Sequence, residues 1–169
     1  MKALFIGGTG TISTATSKLA VQKSWKLYLL NRETKTDRVS EGAKGITADI
    51  HDEPVVSGLI RDMEFDVVAD FIAFEPQMIE RDIRLFTGKA KQFIFISSAS
   101  VYQKPLSHFM ITESTPLSNP YWQYSHDKIA CEELLTVEYR KNNFPITIVR
   151  PSHTYDERNL PLAVEGKGS

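Results

Sequence analysis

Apolar residues fall in short runs separated by longer stretches of mixed character. Residues 3–6, 27–30, 45–50, 66–73, 92–96 and 146–149 read as strands, with 45–50 the weakest signal. The run Phe93-Ile94-Phe95-Ile96 lacks polar alternation, as expected of a strand covered on both faces. Residues 11–21, 53–63, 76–86 and 124–140 read as helices. Pro54 takes a first-turn position that tolerates proline, and Met78, Ile79, Ile83 and Phe86 share one helical face. Pro105, Pro116 and Pro120 make residues 103–120 a long loop. Strands alternating with helices predict an α/β fold: a doubly wound parallel sheet with right-handed crossovers and helices on both faces.

Composition narrows the picture only modestly. The chain of 169 residues suits one domain. Hydrophobic residues make up 41% and charged residues 24%, which excludes a wholly disordered chain. With 20 Lys+Arg against 21 Asp+Glu there is no basic excess for a large nucleic-acid footprint, so no nucleic-acid partner is expected. Cys131 is the single cysteine, so no intrachain disulfide forms and a reducing compartment is permitted. Gly7 interrupts the first apolar run well before the roughly 7–15 residues of a signal core. No run approaches the ~20 apolar residues that cross a bilayer. No membrane association is therefore expected, and the cytoplasm is the default location. His51, His108, His126 and His153 show no metal-ligand spacing, and no metal is expected.

Candidate chemistry begins at Gly7-Gly8-Thr9-Gly10-Thr11-Ile12-Ser13, between the first strand and the first helix. Such a turn lets the backbone approach a pyrophosphate and aims helix N–H groups at it. Ser13 replaces the third glycine of the usual pattern and is small enough to keep helix and sheet close. The second strand ends on Asn31-Arg32, where an acidic residue would mark NAD. Arg32 can pair with a 2′-phosphate, which favours NADP, with NAD the alternative. Asp49 can accept from an adenine amino group, or serve as a cap or surface carboxylate.

Tyr124-Ser125-His126-Asp127-Lys128 is a Tyr-x-x-x-Lys. The spacing alone is unremarkable, but it opens a helix and places both side chains on one face. Ser98 lies at the end of a buried strand, where parallel sheets bind ligands. A free tyrosine titrates near ~10 and is a poor base at neutrality. A neighbouring ammonium favours its phenolate, which can then take a substrate hydroxyl proton while hydride leaves the same carbon. Trp122 either borders this cleft or braces the loop before it.

Together Gly7-Gly8-Thr9-Gly10, the 97–102 segment Ser-Ser-Ala-Ser-Val-Tyr, Tyr124 to Lys128, and Arg150-Pro151 resemble the NAD-dependent epimerase/dehydratase family of extended short-chain dehydrogenases/reductases. The resemblance covers about residues 1–156. It implies a Rossmann-type domain there, a bound nicotinamide nucleotide and, often, a nucleotide-sugar substrate. It implies Ser98, Tyr124 and Lys128 as catalytic residues. The candidate cofactor contacts are Gly7, Gly10, Thr11 and Ile12 at the turn; Asn31, Arg32, Asp49 and Ile50 beside the second and third strands; Ala73 after the fourth; and Lys128, Pro151 and His153.

The chain departs from the family in three ways. Ala99-Ser100 stand where sugar dehydratases resemble one another in an Asp-Glu pair, which favours an epimerase or reductase over a 4,6-dehydratase. Gln103 and Asp156 replace glycines near the substrate loops. Relatives also carry a smaller C-terminal lobe. Residues 157–169 are read as the start of a truncated substrate region, and full activity is not expected of 169 residues. The apolar faces of helices 76–86 and 124–140 either form a homodimer interface, as in relatives, or belong to the intramolecular core. The alternative function is a non-catalytic nucleotide-binding regulatory or RNA-associated protein on the same fold.

Overall fold

The computed structural model describes residues 1–32 and 39–156. Among the described residues six strands and four α-helices follow in the order β1 (Lys2–Ile6), α1 (Thr11–Gln22), β2 (Lys26–Asn31), β3 (Lys44–Thr47), α2 (Glu53–Leu59), β4 (Val67–Asp70), α3 (Pro76–Phe86), β5 (Phe93–Ile96), α4 (Gln123–Asn142), β6 (Ile146–Val149). The strands form one sheet in the order β3-β2-β1-β4-β5-β6, and every pairing is parallel. This is the Rossmann order, with the chain reversing direction across the sheet between β1 and β4. Residues 157–169, read above as the start of a substrate region, lie outside the described residues.

Side chains alternate along each strand, so the sheet carries two cores. Leu4, Ile6, Leu30, Val68, Phe93 and Phe95 face the side covered by α2, α3 and α4. Ala3, Phe5, Leu27, Leu29, Val67 and Ala69 face the α1 side. Burial on both faces explains why β1, β4 and β5 read as continuous apolar runs. α3 and α4 pack on each other within one of these cores, through residues that include Ile79, Phe86, Cys131 and Leu135.

Three elements end three or four residues short of the sequence expectation, and the other boundaries agree within two residues. β3 spans Lys44–Thr47 rather than 45–50, because Asp49 turns the chain: its Oδ1 accepts the His51 N–H at 3.0 Å. α2 stops at Leu59, four residues early. β4 ends at Asp70 rather than 73, because the Asp70 carboxylate captures the next two free N–H groups and bends the chain. A short 3₁₀ turn, Ala99–Val101, also follows β5 within a stretch without a sequence signal.

Candidate active site

The glycine turn leaves the C-terminal end of β1. Gly7 has φ +79°, and a Cβ there would sit 2.2 Å from Ile72 Cγ2, so only glycine fits. A Cβ on Gly8 would lie 2.7 Å from Leu29 Cδ2. Gly10 caps α1. Ser13 is buried, and its hydroxyl accepts the Gly10 N–H and donates to the Gly7 carbonyl, both at 2.8 Å. The residue replacing the third glycine thus laces the turn to the helix. Asn31 Oδ1 accepts the Gly8 N–H at 2.9 Å, so its amide braces the turn. Thr11, the first residue of α1, donates to Asp156 Oδ2 at 3.0 Å.

Two cavities open at the C-terminal edge of the sheet. The larger, about 670 Å³, is walled by Gly7, Asn31, Arg32, Asp49 and Ile50 from the expected cofactor set, together with Thr9, His51, Ile72, Phe74 and Met78. Arg32 and Asp49 are exposed on its rim. The smaller, about 230 Å³, brings together Ile12, Ser98, Tyr124, Lys128 and Pro151. Phe74 lines both. Four expected contacts, Gly10, Thr11, Ala73 and His153, line neither cavity; the first two stand at the start of α1. His153 is exposed and off the wall, which Ser152 and Thr154 supply instead. Ala73 is buried and lines neither cavity; its carbonyl accepts Lys128 Nζ at 2.7 Å. Trp122 lies outside the wall as well, its ring 4.7 Å from that of Tyr124, so it braces the start of α4.

Lys128 is 1% exposed, and Nζ donates to the Ala73 and Ile96 carbonyls, each at 2.7 Å. The rings of Phe95 and Phe74 lie 4.6 and 4.7 Å from it. Burial pushes its pKa down to about 8, while Cys131, Asp70 and Glu132 act against the fall. Tyr124 is half-buried, and desolvation holds its hydroxyl above the usual tyrosine value; a hydrogen bond with Ser98 works the other way. Ser98 is itself oriented by accepting the Ser100 N–H at 3.1 Å. The Ser100 hydroxyl accepts from Ser125 at 3.0 Å, so the Ala99-Ser100 pair serves packing and presents no carboxylate.

Sequence reasoning missed two buried ionic groups. Glu132 is 2% exposed and takes a bidentate pair from Arg150 (Nε–Oε1 3.0 Å, Nη2–Oε2 2.6 Å) and a bond from Ser97 (2.5 Å). Arg150 also donates to the Tyr102 hydroxyl at 3.3 Å. One network therefore ties the ends of β5 and β6 to α4, fixing Ser98 relative to Tyr124 and Lys128. The second group is Asp70 at the end of β4 with Arg81 and Asp82 of α3, all buried. A signal for the first was available: Ser125, Lys128, Glu132 and Leu135 recur at helical spacing, a stripe that is buried yet mostly polar.

Residues 83–167 match the NAD dependent epimerase/dehydratase family. A UDP-glucose 4-epimerase from Lactobacillus helveticus is 28% identical, over 89% of this chain and 51% of its own. Among solved structures, Pal from Bacillus thuringiensis superposes with a TM-score of 0.77 at 23% identity, covering 89% of this chain and 56% of that one. The UDP-Glc/GlcNAc 4-epimerase from Campylobacter jejuni gives 0.77 at 22% identity, covering 88% and 52%. The UDP-glucose 4-epimerase from Bifidobacterium longum, solved with NAD+ and UDP, gives 0.76 at 20%, covering 89% and 52%. At these identities the structures speak for the fold. The chain spans about half the length of the relatives it matches. The matched segment contains Ser98, Tyr124, Lys128 and Arg150, and on this match the chain belongs to the NAD dependent epimerase/dehydratase family.

Proposed function

We propose that the protein binds a nicotinamide dinucleotide along the sheet edge and acts on a nucleotide sugar by tyrosine-assisted hydride transfer, as an epimerase or reductase rather than a 4,6-dehydratase. The observation that carries this reading is the meeting of Ser98, Tyr124 and Lys128 in one cavity that Phe74 joins to the cavity beside the glycine turn. The fit to a dinucleotide rests on the turn: Gly7 at φ +79° makes a bend that favours glycine, and the N-terminus of α1 follows it directly. Gly10, Thr11 and Ile12 would hold the pyrophosphate, and the larger cavity the adenosine. The bound nicotinamide would take up and return the hydride.

The chain's own residues would move the proton. Tyr124 removes it from the substrate hydroxyl, and Ser98 holds the same oxygen. Lys128 spends two N–H groups on the Ala73 and Ile96 carbonyls, which leaves a third for the cofactor's ribose. Its ammonium favours the phenolate against the burial that keeps Tyr124 neutral. Tyr124→Phe is expected to keep NADH affinity within about twofold and to lose at least ~10²-fold in turnover of UDP-glucose or a related nucleotide sugar. Turnover equal to wild type would refute the assignment. NADH binding without turnover in the wild type would favour the non-catalytic alternative.

Arg32 on the cavity rim supports NADP over NAD within this reading. NADPH should bind more tightly than NADH in parallel fluorescence titrations, and equal affinities or tighter NADH would refute the role given to Arg32. The reading includes a cytoplasmic location and a homodimer through helices α3 and α4; their residues Ile79, Phe86, Cys131 and Leu135 belong to the intramolecular core, and Val137 and Tyr139 of α4 are exposed.

A further inference from the structure

Three ionisable side chains lie in the core behind the cleft, where the reacting groups do not reach. Asp70 ends β4 and is fully buried; Arg81 and Asp82 on α3 are 3% and 0% exposed. Asp70 Oδ1 accepts the N–H groups of Ile72 and Ala73 at 2.6 and 2.7 Å. Its Oδ2 faces Arg81 Nη2 at 3.5 Å. Arg81 gives Nε and Nη2 to Asp82 Oδ1 at 2.9 and 2.7 Å, and its Nη1 lies 3.4 Å from His51 Nδ1 at the cavity wall. Burying three such groups is costly unless their charges balance. One guanidinium stands against two carboxyls, so balance requires one proton between them. Burial and the neighbouring Asp70 push Asp82 well above the usual carboxylate range, while Arg81 acts against the rise.

The two backbone bonds to Asp70 set the conformation of residues 72–74, and each of these meets a different part of the site. Ile72 closes the space beside Gly7. The Ala73 carbonyl receives Lys128 Nζ. The Phe74 ring covers Lys128, lies 6.1 Å from the Tyr124 ring and lines both cavities. We infer that Asp70 is a positioning residue: its Oδ1, by accepting the Ile72 and Ala73 N–H groups, fixes the 72–74 turn that seats Lys128 and places Phe74 between the two cavities. The catalytic consequence rests on the function proposed above; the seating of Lys128 does not.

The experiment compares Asp70→Asn with Asp70→Ala. Asn keeps an oxygen for the Ile72 and Ala73 N–H groups and loses the charge, whereas Ala loses both. Three readouts are used: hydrogen exchange at the two amides, the Lys128 Nζ titration midpoint by nitrogen-15 NMR, and kcat and KM with a nucleotide sugar. Asp70, Glu132 and Cys131 are the groups that bear on the Lys128 titration. Asn should keep both amides protected and kcat within about threefold. Ala should expose both amides, lower the Lys128 midpoint further than Asn does, and cost at least ~10-fold in kcat with little change in KM, the effect of a misplaced catalytic group.

A folded Asp70→Ala protein with protected amides and a midpoint equal to that of Asn would overturn the inference. If Ala does not fold, Asn decides alone: lost turnover with both amides still protected would show that charge, not the turn, matters, and would overturn it too. If the wild type turns over no nucleotide sugar, the functional reading fails. The amide and Lys128 readouts then still decide whether Asp70 seats the lysine.

Discussion

Raising the pH through 8 reads the electrostatics of the cleft through folding stability. Lys128 titrates at about 8 in the folded protein, against the ordinary 10.5 of an unfolded chain. Below 8 the buried ammonium therefore costs about 3 kcal/mol in full. Between 8 and 10.5 the folded protein has released a proton that the unfolded chain keeps, so stability rises with pH by about 1.4 kcal/mol per unit. Cys131, on the same buried stripe of α4, acts in the opposite sense. Burial pushes its thiol from 9.0 up to about 12, so above 9 the unfolded chain loses a proton that the folded one retains, and stability falls.

The sum is a gain of about 0.6 kcal/mol from pH 8 to 9, because each group is only part-titrated there, then a plateau to about 10 where the two slopes cancel. Beyond it comes a fall that Tyr124, held above 10.0 by burial, makes steeper. Urea unfolding of the cofactor-free protein, followed by fluorescence of Trp25 and Trp122 at pH 7.5, 8, 9 and 9.5, measures the curve. Lys128→Met should abolish the rise between 8 and 9. Cys131→Ala should extend it to about 3 kcal/mol by pH 10.5. A flat wild-type curve between 8 and 9, or the same rise in Lys128→Met, would refute the account of a desolvated lysine.

Two further expectations concern the turn. Gly7→Ala must hold φ +79° and fit a Cβ 2.2 Å from Ile72 Cγ2, so it should cost about 2–4 kcal/mol in urea unfolding. Gly58→Ala, in α2 with open space around the new Cβ, should stabilise by about 0.5–1 kcal/mol, and the opposite order would be inconsistent with the turn geometry. The Asp156 carboxylate bonded to Thr11 sits at the α1 N-terminus, where a pyrophosphate would compete with it. Asp156→Asn should tighten NADH binding about 2–5-fold by fluorescence titration, and unchanged or weaker binding would count against that competition.

Much of this molecule was legible in the chain because its signals are local. The apolar runs located all six strands, and α3 spans the expected 76–86, starting at Pro76. Errors came where a polar side chain captured nearby backbone: Asp49 shifted β3 and Asp70 cut β4 short. The glycine turn, Ser98, Tyr124 and Lys128 were candidates from sequence, the turn by its spacing and the trio by its setting at strand and helix ends, and the structure brings the trio to one cavity. The larger cavity gathers Arg32, Asp49 and Ile50 as expected, but Asn31 is committed to bracing Gly8.

Of the buried ions, those on α3 had no such signal, and the polar stripe on α4 is one that apolar periodicity does not read. On α3, Arg81 and Asp82 interrupt an apolar face, and alone they read as surface charges. On α4, a stripe of Ser125, Lys128 and Glu132 weakens the helical pattern on the face that is buried. The sequence by itself determined the order of elements, the turn that only glycine can make, and which residues could carry the chemistry, because backbone conformation and apolar periodicity depend on near neighbours. Only the tertiary structure decided that Asp70 holds the turn seating Lys128, that Glu132 pairs with Arg150, and that Ser152 and Thr154 rather than His153 wall the cavity. A buried charge is tolerated only with partners, and here those partners come from strands and helices far apart along the chain.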